Sequence, residues 1–281
     1  MARPATLLRL LCCLAAICLA AGPAAARPHR IVSINLCADA LVLRLADRAD
    51  VQSVTWLARN PEHSVVAAEA AGVRGNQGLA EEIIALDPDL VLAGAFTTRS
   101  TVALLKRLGF PLLELGAPET IDGIRAQIRE VAAALGQEAR GEAMIAAMDA
   151  KLADVPAGGP SPLAVVLRPD GFTAGRGSLI DEILTRAGAR NLAAEQGLEN
   201  YGQIPLETVA LADTRLLILN RDPEAGPSLG DATLQHPILG QLPGLRQVSV
   251  PSRLWTCAGP EVADAVALVA AAVRATEGQA P

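Results

Sequence analysis

Aromatic side chains are scarce in these 281 residues, and where they stand is the first chemical signal. Trp56, Phe96, Phe172, Tyr201 and Trp255 each fall at the end of an expected strand or in the loop after it; Phe110 alone does not. In open α/β sheets that edge is where ligands bind, and such rings supply flat apolar area with little entropy to lose. Cations accompany them. Arg99 follows Phe96, Arg168 ends a strand, Arg176 sits in a Gly-rich turn, and Arg221 follows the run Leu216–Asn220. The guanidinium fork suits carboxylate, phosphate or anionic chelate oxygens. Core burial for a ring and plain solubility for an arginine are the ordinary alternatives at any one position. Taken together, these residues describe a cleft for a bulky, partly apolar, anionic molecule.

Catalytic machinery is not expected. His29, His63 and His236 are scattered and none has zinc-ligand spacing. No Walker lysine occurs. Gly171-Phe-Thr-Ala-Gly-Arg-Gly177 lacks the G-K-[ST] of a phosphate loop and reads as a tight turn feeding a helix at Ser178. Scarce histidine also argues against a carrier of bare zinc or manganese. The expectation is therefore no catalytic residue, no cofactor and no direct metal ligand.

Two segments repeat. Glu81-Glu-Ile-Ile-Ala-Leu-Asp-Pro-Asp-Leu-Val-Leu92 returns in outline as Glu207-Thr-Val-Ala-Leu-Ala-Asp-Thr-Arg-Leu-Leu-Ile218. Each copy reads as a short helix, a turn at the Asp and a buried strand, with a carboxylate at the helix start where the macrodipole favours it. The separation is far too long for a solenoid. Two similar α/β lobes, each presenting a glutamate at the same place, are the expectation.

The elements that must position these residues alternate. Strands are expected at Arg30–Ile34, Val51–Trp56, Leu90–Ala93 and Pro111–Leu115, with helices at Ala40–Leu45 (opened by Asp39), Glu81–Leu86 and Ser100–Leu108. Such alternation implies βαβ units and a mostly parallel sheet. From Glu119 to Leu152 two helices follow each other with no strand between them. The second is a candidate stiff connection. Pro156-Ala-Gly-Gly-Pro160 then breaks the chain before strand Leu163–Leu167. A second series follows, with helices Ser178–Ala187, Pro205–Leu211 and Pro260–Ala275 and strands Leu216–Leu219 and Gln247–Val250. The expected domains are a first lobe at 27–136, a connecting helix at 137–155 and a second lobe at 156–281.

Residues 1–26 read as a secretory signal: Arg3 and Arg9, the apolar run Leu10–Ala21, then Gly22-Pro23-Ala24-Ala25-Ala26 with cleavage after Ala26. The run is too short for a spanning helix, and Ile17 precedes Cys18 where lipoprotein processing wants a small residue. The signal holds two of the 24 Lys+Arg and none of the 30 Asp+Glu, so its loss takes the net charge from −6 to −8. An acidic exported chain is a poor binder of nucleic acid or anionic membranes. Of five cysteines, Cys37 and Cys257 remain, an even pair in an oxidising compartment. A disulfide is the plain expectation; two thiols at a ligand site, or two inert ones, are the alternatives.

In order along the chain, Arg30-Ile-Val-Ser-Ile-Asn-Leu36, Leu86-Asp-Pro-Asp-Leu-Val-Leu-Ala93, Gly171-Phe-Thr-Ala-Gly-Arg-Gly-Ser-Leu179, His236-Pro-Ile-Leu239 and Trp255-Thr-Cys-Ala-Gly-Pro260 resemble the periplasmic substrate-binding proteins of ABC importers for iron-siderophores, haem and cobalamin. The resemblance implies two Rossmann-like α/β lobes joined by a long rigid helix, with the chelate held between them. It implies a non-enzymatic, periplasmic, monomeric carrier that delivers to an inner-membrane permease dimer with its ATPase. Glu81 and Glu207 match the glutamates that dock into arginine pockets on the two permease subunits, with Glu82 a neighbouring rival for Glu81. Tyr201 matches a cleft aromatic. Asn60-Pro61 departs from cobalamin binders, which usually carry a Tyr before that Pro, and only Tyr201 and His63 suit a haem axial position. Cys37 and Cys257 follow strands that should face the cleft; joined, they would staple lobe to lobe. An exported enzyme, recognisable by turnover, and a ligand-sensing or adaptor module uncoupled from transport, recognisable by an empty cleft, are the rival classes.

Overall fold

A computed structural model describes residues 27–156, 161–219 and 234–277. The expected signal segment, most of the Pro156–Pro160 break and Arg221 lie outside the described residues.

Ile31–Ser33 (β1), Val51–Thr55 (β2), Arg74–Asn76 (β3), Leu90–Gly94 (β4) and Leu112–Leu115 (β5) pair in the order β3-β2-β1-β4-β5, all parallel. The helices are Leu36–Leu45 (α1), Ala80–Ile84 (α2) and Arg99–Arg107 (α3). Strand β1 and most of β4 are buried on both faces, as a sheet covered on both sides requires. The second lobe repeats the plan. Leu163–Leu167 (β6), Arg190–Asn191 (β8), Thr214–Leu219 (β10) and Arg246–Ser249 (β11) run in the order β11-β10-β6-β8, again parallel. Phe172–Ala174 (β7) and Tyr201–Gln203 (β9) form a separate antiparallel ribbon at its edge. The repeat occupies equivalent places: β4 pairs with β1, the first strand of its lobe, and β10 pairs with β6, the first of the other. Helix α2 precedes β4, and Leu206–Leu211 (α8) precedes β10.

Ile121–Ala134 (α4) and Glu138–Ala153 (α5) hold the lobes together. The first amide of α4 donates to Glu182 on Leu179–Arg186 (α6) of the second lobe at 2.8 Å, while Arg27 of the first lobe donates to Leu135 just past its other end. Helix α5 begins with Arg140 on Leu45 and Asp47, and ends with Lys151 on Asp264 of the final helix Val262–Glu277 (α10). Arg125 to Asp149 and Arg129 to Glu142 tie the pair side by side. One apolar cluster runs from Ile31 and Leu92 through Ile128 and Met148 to Val166, Ile218 and Val266, so lobes and bridge share a core.

The start of α1 differs from the expectation. Asp39 does not open it: Asn35 does, its side-chain oxygen accepting from the amides of Cys37 at 2.9 Å and Ala38 at 3.2 Å. Asp39 lies inside the helix and is fully buried, accepting from the Thr55 amide at 3.2 Å and from the Thr55 hydroxyl. Burial pushes its carboxyl up to about 7, against the pull of the Ser33 and Thr55 hydrogen bonds. The unfolded value, 3.8, is lower, so between the two the native state keeps a proton that the unfolded chain has released. Stability must fall as pH rises through that window, by roughly 3 kcal/mol between about pH 5 and 8. Asp39→Asn keeps the acceptor and should remove that share of the slope in urea melts at the two pH values. Equal slopes for the variant and the parent would contradict this.

Candidate functional site

Strands β1, β4, β5 and β6 end at the seam between the lobes, and Asn35, Gly94, Leu115 and Arg168 at or just after those ends line it. Asn35, engaged in capping α1, holds Cys37 in the first turn of that helix. Gly94 ends β4 directly against the Asn35 amide; a Cβ on Gly94 would stand 2.6 Å from it, so no larger residue fits without displacing the cap. On the other lobe, Gly175 follows β7 so closely under the Leu198 carbonyl that a Cβ would stand 2.0 Å from its oxygen. That close approach accounts for Gly175, and left-handed backbone at Gly171 (φ 71°) and Gly177 (φ 78°) for the other two, without a phosphate.

The seam encloses a cavity of about 390 Å³, inside the range of small-molecule sites. Asn35, Cys37, Phe96, Glu119 and Gln127 line it from the first lobe and α4; Arg168, Phe172, Tyr201, Trp255 and Thr256 line it from the second. Phe172 and Tyr201 face each other as parallel, offset rings, 6.4 Å between centroids and 3° between planes. The ribbon sets this, since the register pairs Phe172 with Gln203 and Ala174 with Tyr201. Phe96 is 88% exposed at the mouth, whereas Trp255 is packed into the wall. Burial holds the Tyr201 hydroxyl above its usual pKa, with the Glu119 carboxylate adding to the shift and Arg168 opposing it. Tyr201 therefore stays a neutral donor at physiological pH.

Cys37 and Cys257 are joined, with Cα atoms 5.1 Å apart and 220 residues between them in sequence. The bond crosses from α1 of the first lobe to the segment before α10, at the cavity wall. Arg44 of α1 pairs with the buried Glu261, which directly precedes α10, a second tie between the same two segments.

The other sequence candidates are not all brought together. Trp56 lies in a short 3₁₀ turn after β2, half-exposed, and does not line the cavity. Arg99 lines an adjoining depression with Lys106 and Glu114. Arg176 spends its guanidinium on the Ala194 carbonyl and Glu199 of its own lobe. Arg221 lies outside the described residues. Arg168 is thus the one candidate arginine that lines the cavity among the described residues, and Glu119 lies in the same lining. The seam is less cationic than the sequence suggested. Sequence reasoning found Phe172 among the strand-end aromatics but passed over Glu119 and Gln127 altogether. Gln127 had a signal: it interrupts the apolar stripe Ile121, Ile124, Ile128, Val131.

Glu81 and Glu207 stand in the first turns of α2 and α8, both exposed and both with side chains that have no partner among the described residues. Each helix starts beyond the carboxyl edge of its lobe's sheet. Glu82 is engaged locally, accepting from the amides of Gln77 at 2.8 Å and Leu79 at 3.4 Å. No helix of the described residues is long and apolar enough to cross a membrane.

Known proteins share this arrangement. A cobalamin-binding protein of Halobacterium salinarum is 28% identical over 201 residues, which cover 68% of this chain and 53% of the relative. The chain thus spans about half the length of the curated relatives it matches. The periplasmic heme-binding protein RhuT of Roseiflexus sp. RS-1, in apo form, superposes with a TM-score of 0.68 at 24% identity, covering 88% of this chain and 98% of that one. The periplasmic vitamin B12 binding protein BtuF of Vibrio cholerae gives 0.64 at 17% identity, over 90% and 99%. These two show the common fold. The profile of the periplasmic binding protein family matches residues 31–249, most of the chain, with both sheets and the cleft between them. By that match and this architecture, the chain belongs to the periplasmic binding protein family.

Proposed function

We propose that this chain is the substrate-binding component of an ABC importer: it takes a metal chelate of the cobalamin, haem or ferric-siderophore class into its interlobe cleft and hands it to an inner-membrane permease dimer with its ATPase. It acts as a monomer in the periplasm, after removal of residues 1–26. The observation that carries the reading is the single seam between matched lobes, walled by Phe172, Tyr201 and Trp255 with Phe96 at its mouth. Rings of that kind fit a large, flat, partly apolar guest. Of the rival acids on α2, Glu81 is the better docking group, because Glu82 is spent on its own helix start.

Titration of the purified protein with cyanocobalamin, hemin and a ferric siderophore, followed by absorbance, tests this. One of the three should saturate at one per chain. Tyr201→Ala should weaken that affinity by about tenfold or more, the loss of one stacked ring. Failure of all three to bind would remove the proposal.

A further inference from the structure

Gln127 is 93% buried by its 7% exposure, on the core-facing stripe of α4. Its amide makes no hydrogen bond with any described residue, yet the side chain lines the cavity. The amide is not sealed into the core: its nitrogen and oxygen open to the cavity, where water or a guest can pair with them. Neighbouring stripe positions are isoleucine or valine, so an apolar residue would pack there. The other amide in the lining, Asn35, gives its oxygen to the α1 cap. Gln127 thus offers an unengaged donor and an unengaged acceptor at the floor of the site.

The charges around it balance. Glu119 and Arg168 line the same cavity and neither has an ion-pair partner among the described residues. A ligand rim of several carboxylates would gain Arg168 and face Glu119. A rim of neutral amides would find acceptors and donors throughout: Glu119, Arg168, the Tyr201 hydroxyl and the Gln127 amide.

We propose that Gln127 is a specificity-determining residue that reads a neutral, amide-bearing edge of the chelate and selects against chelates with carboxylate rims. This rests on the carrier function proposed above. A carboxamide both donates and accepts, the complement of the glutamine side chain, whereas a carboxylate only accepts and leaves one half of Gln127 unpaired.

The test uses cyanocobalamin, with its carboxamide arms, and hemin, with its two carboxylates, on the full chain at pH 7. The parent protein should bind cyanocobalamin at least tenfold more tightly than hemin. Gln127→Leu should lose about tenfold toward cyanocobalamin, the net worth of a hydrogen bond, and change little toward hemin. Gln127→Glu should lose more for both, since it removes the donor and adds a buried negative charge. Gln127→Met, closer in volume, replaces the leucine variant if that one melts below the parent. Tighter binding of hemin by the parent, or an unchanged cyanocobalamin affinity in the leucine or methionine variant, overturns the inference while leaving the carrier function in place. Binding of neither chelate, nor of a ferric siderophore, removes both.

Discussion

Glu81→Ala combined with Glu207→Ala is expected to leave chelate affinity unchanged and to cut uptake by at least about 100-fold. Neither glutamate lines the cavity, so the binding site loses nothing. Both are exposed, have no side-chain partner among the described residues and stand in the first turns of matched helices; on the proposed docking, the permease would have to engage both. Truncating one member of a charge pair that becomes buried on docking costs roughly 2–5 kcal/mol, and two such losses multiply. Each single variant should therefore fall short by about tenfold or more, and Glu82→Ala should destabilise the start of α2 without a comparable loss of uptake. Transport assays in cells with matched amounts of each variant, with binding titrations on the same proteins, give both readouts. Uptake equal to the parent in the double variant contradicts the docking assignment.

Loss of the Cys37–Cys257 bond should produce the largest change in stability. The bond closes 220 residues of chain, and the chain-entropy relation puts the ceiling for such a loop at about 5 kcal/mol, with native bonds commonly worth roughly 2–5. For a chain of this size that lowers the melting temperature by about 10 °C. The double variant Cys37→Ser with Cys257→Ser should show the drop in a thermal melt, and the reduced parent should match it. Chelate affinity measured well below both transitions should change by less than about tenfold, because α4, α5 and the Arg44–Glu261 pair still hold the lobes. A melting temperature equal to the oxidised parent contradicts the staple.

Much of this architecture was legible before any coordinates, for local reasons. The apolar runs at Leu90–Leu92 and Leu216–Ile218 are buried strands because nothing but a two-sided core accepts them, and their repetition placed Glu81 and Glu207 in matched helices. What escaped depends on long-range pairing. Strands β7 and β9 have three residues each and meet across an intervening stretch that holds two helices, so neither shows a period of its own. Asp39 looked like a helix opener by residue type, but its carboxyl is claimed by Thr55 at the end of strand β2. Trp56 and Arg176 stood at the right edge by sequence; a 3₁₀ turn and the pull of Glu199 direct them elsewhere. Gln127 was overlooked because a helical stripe tolerates one polar residue in sequence, and only the cavity beside it shows what the interruption is for.

The central claim is that one guest occupies the seam between the two lobes. Native mass spectrometry with an absorption spectrum, on protein taken from its own periplasm without denaturation, tests it most directly. The account predicts a mass increment of one metal chelate per chain, with a matching visible band, both lost in the Tyr201→Ala, Phe172→Ala pair. Protein that carries no chelate, and acquires none when offered corrinoid, haem and ferric siderophore, would contradict it.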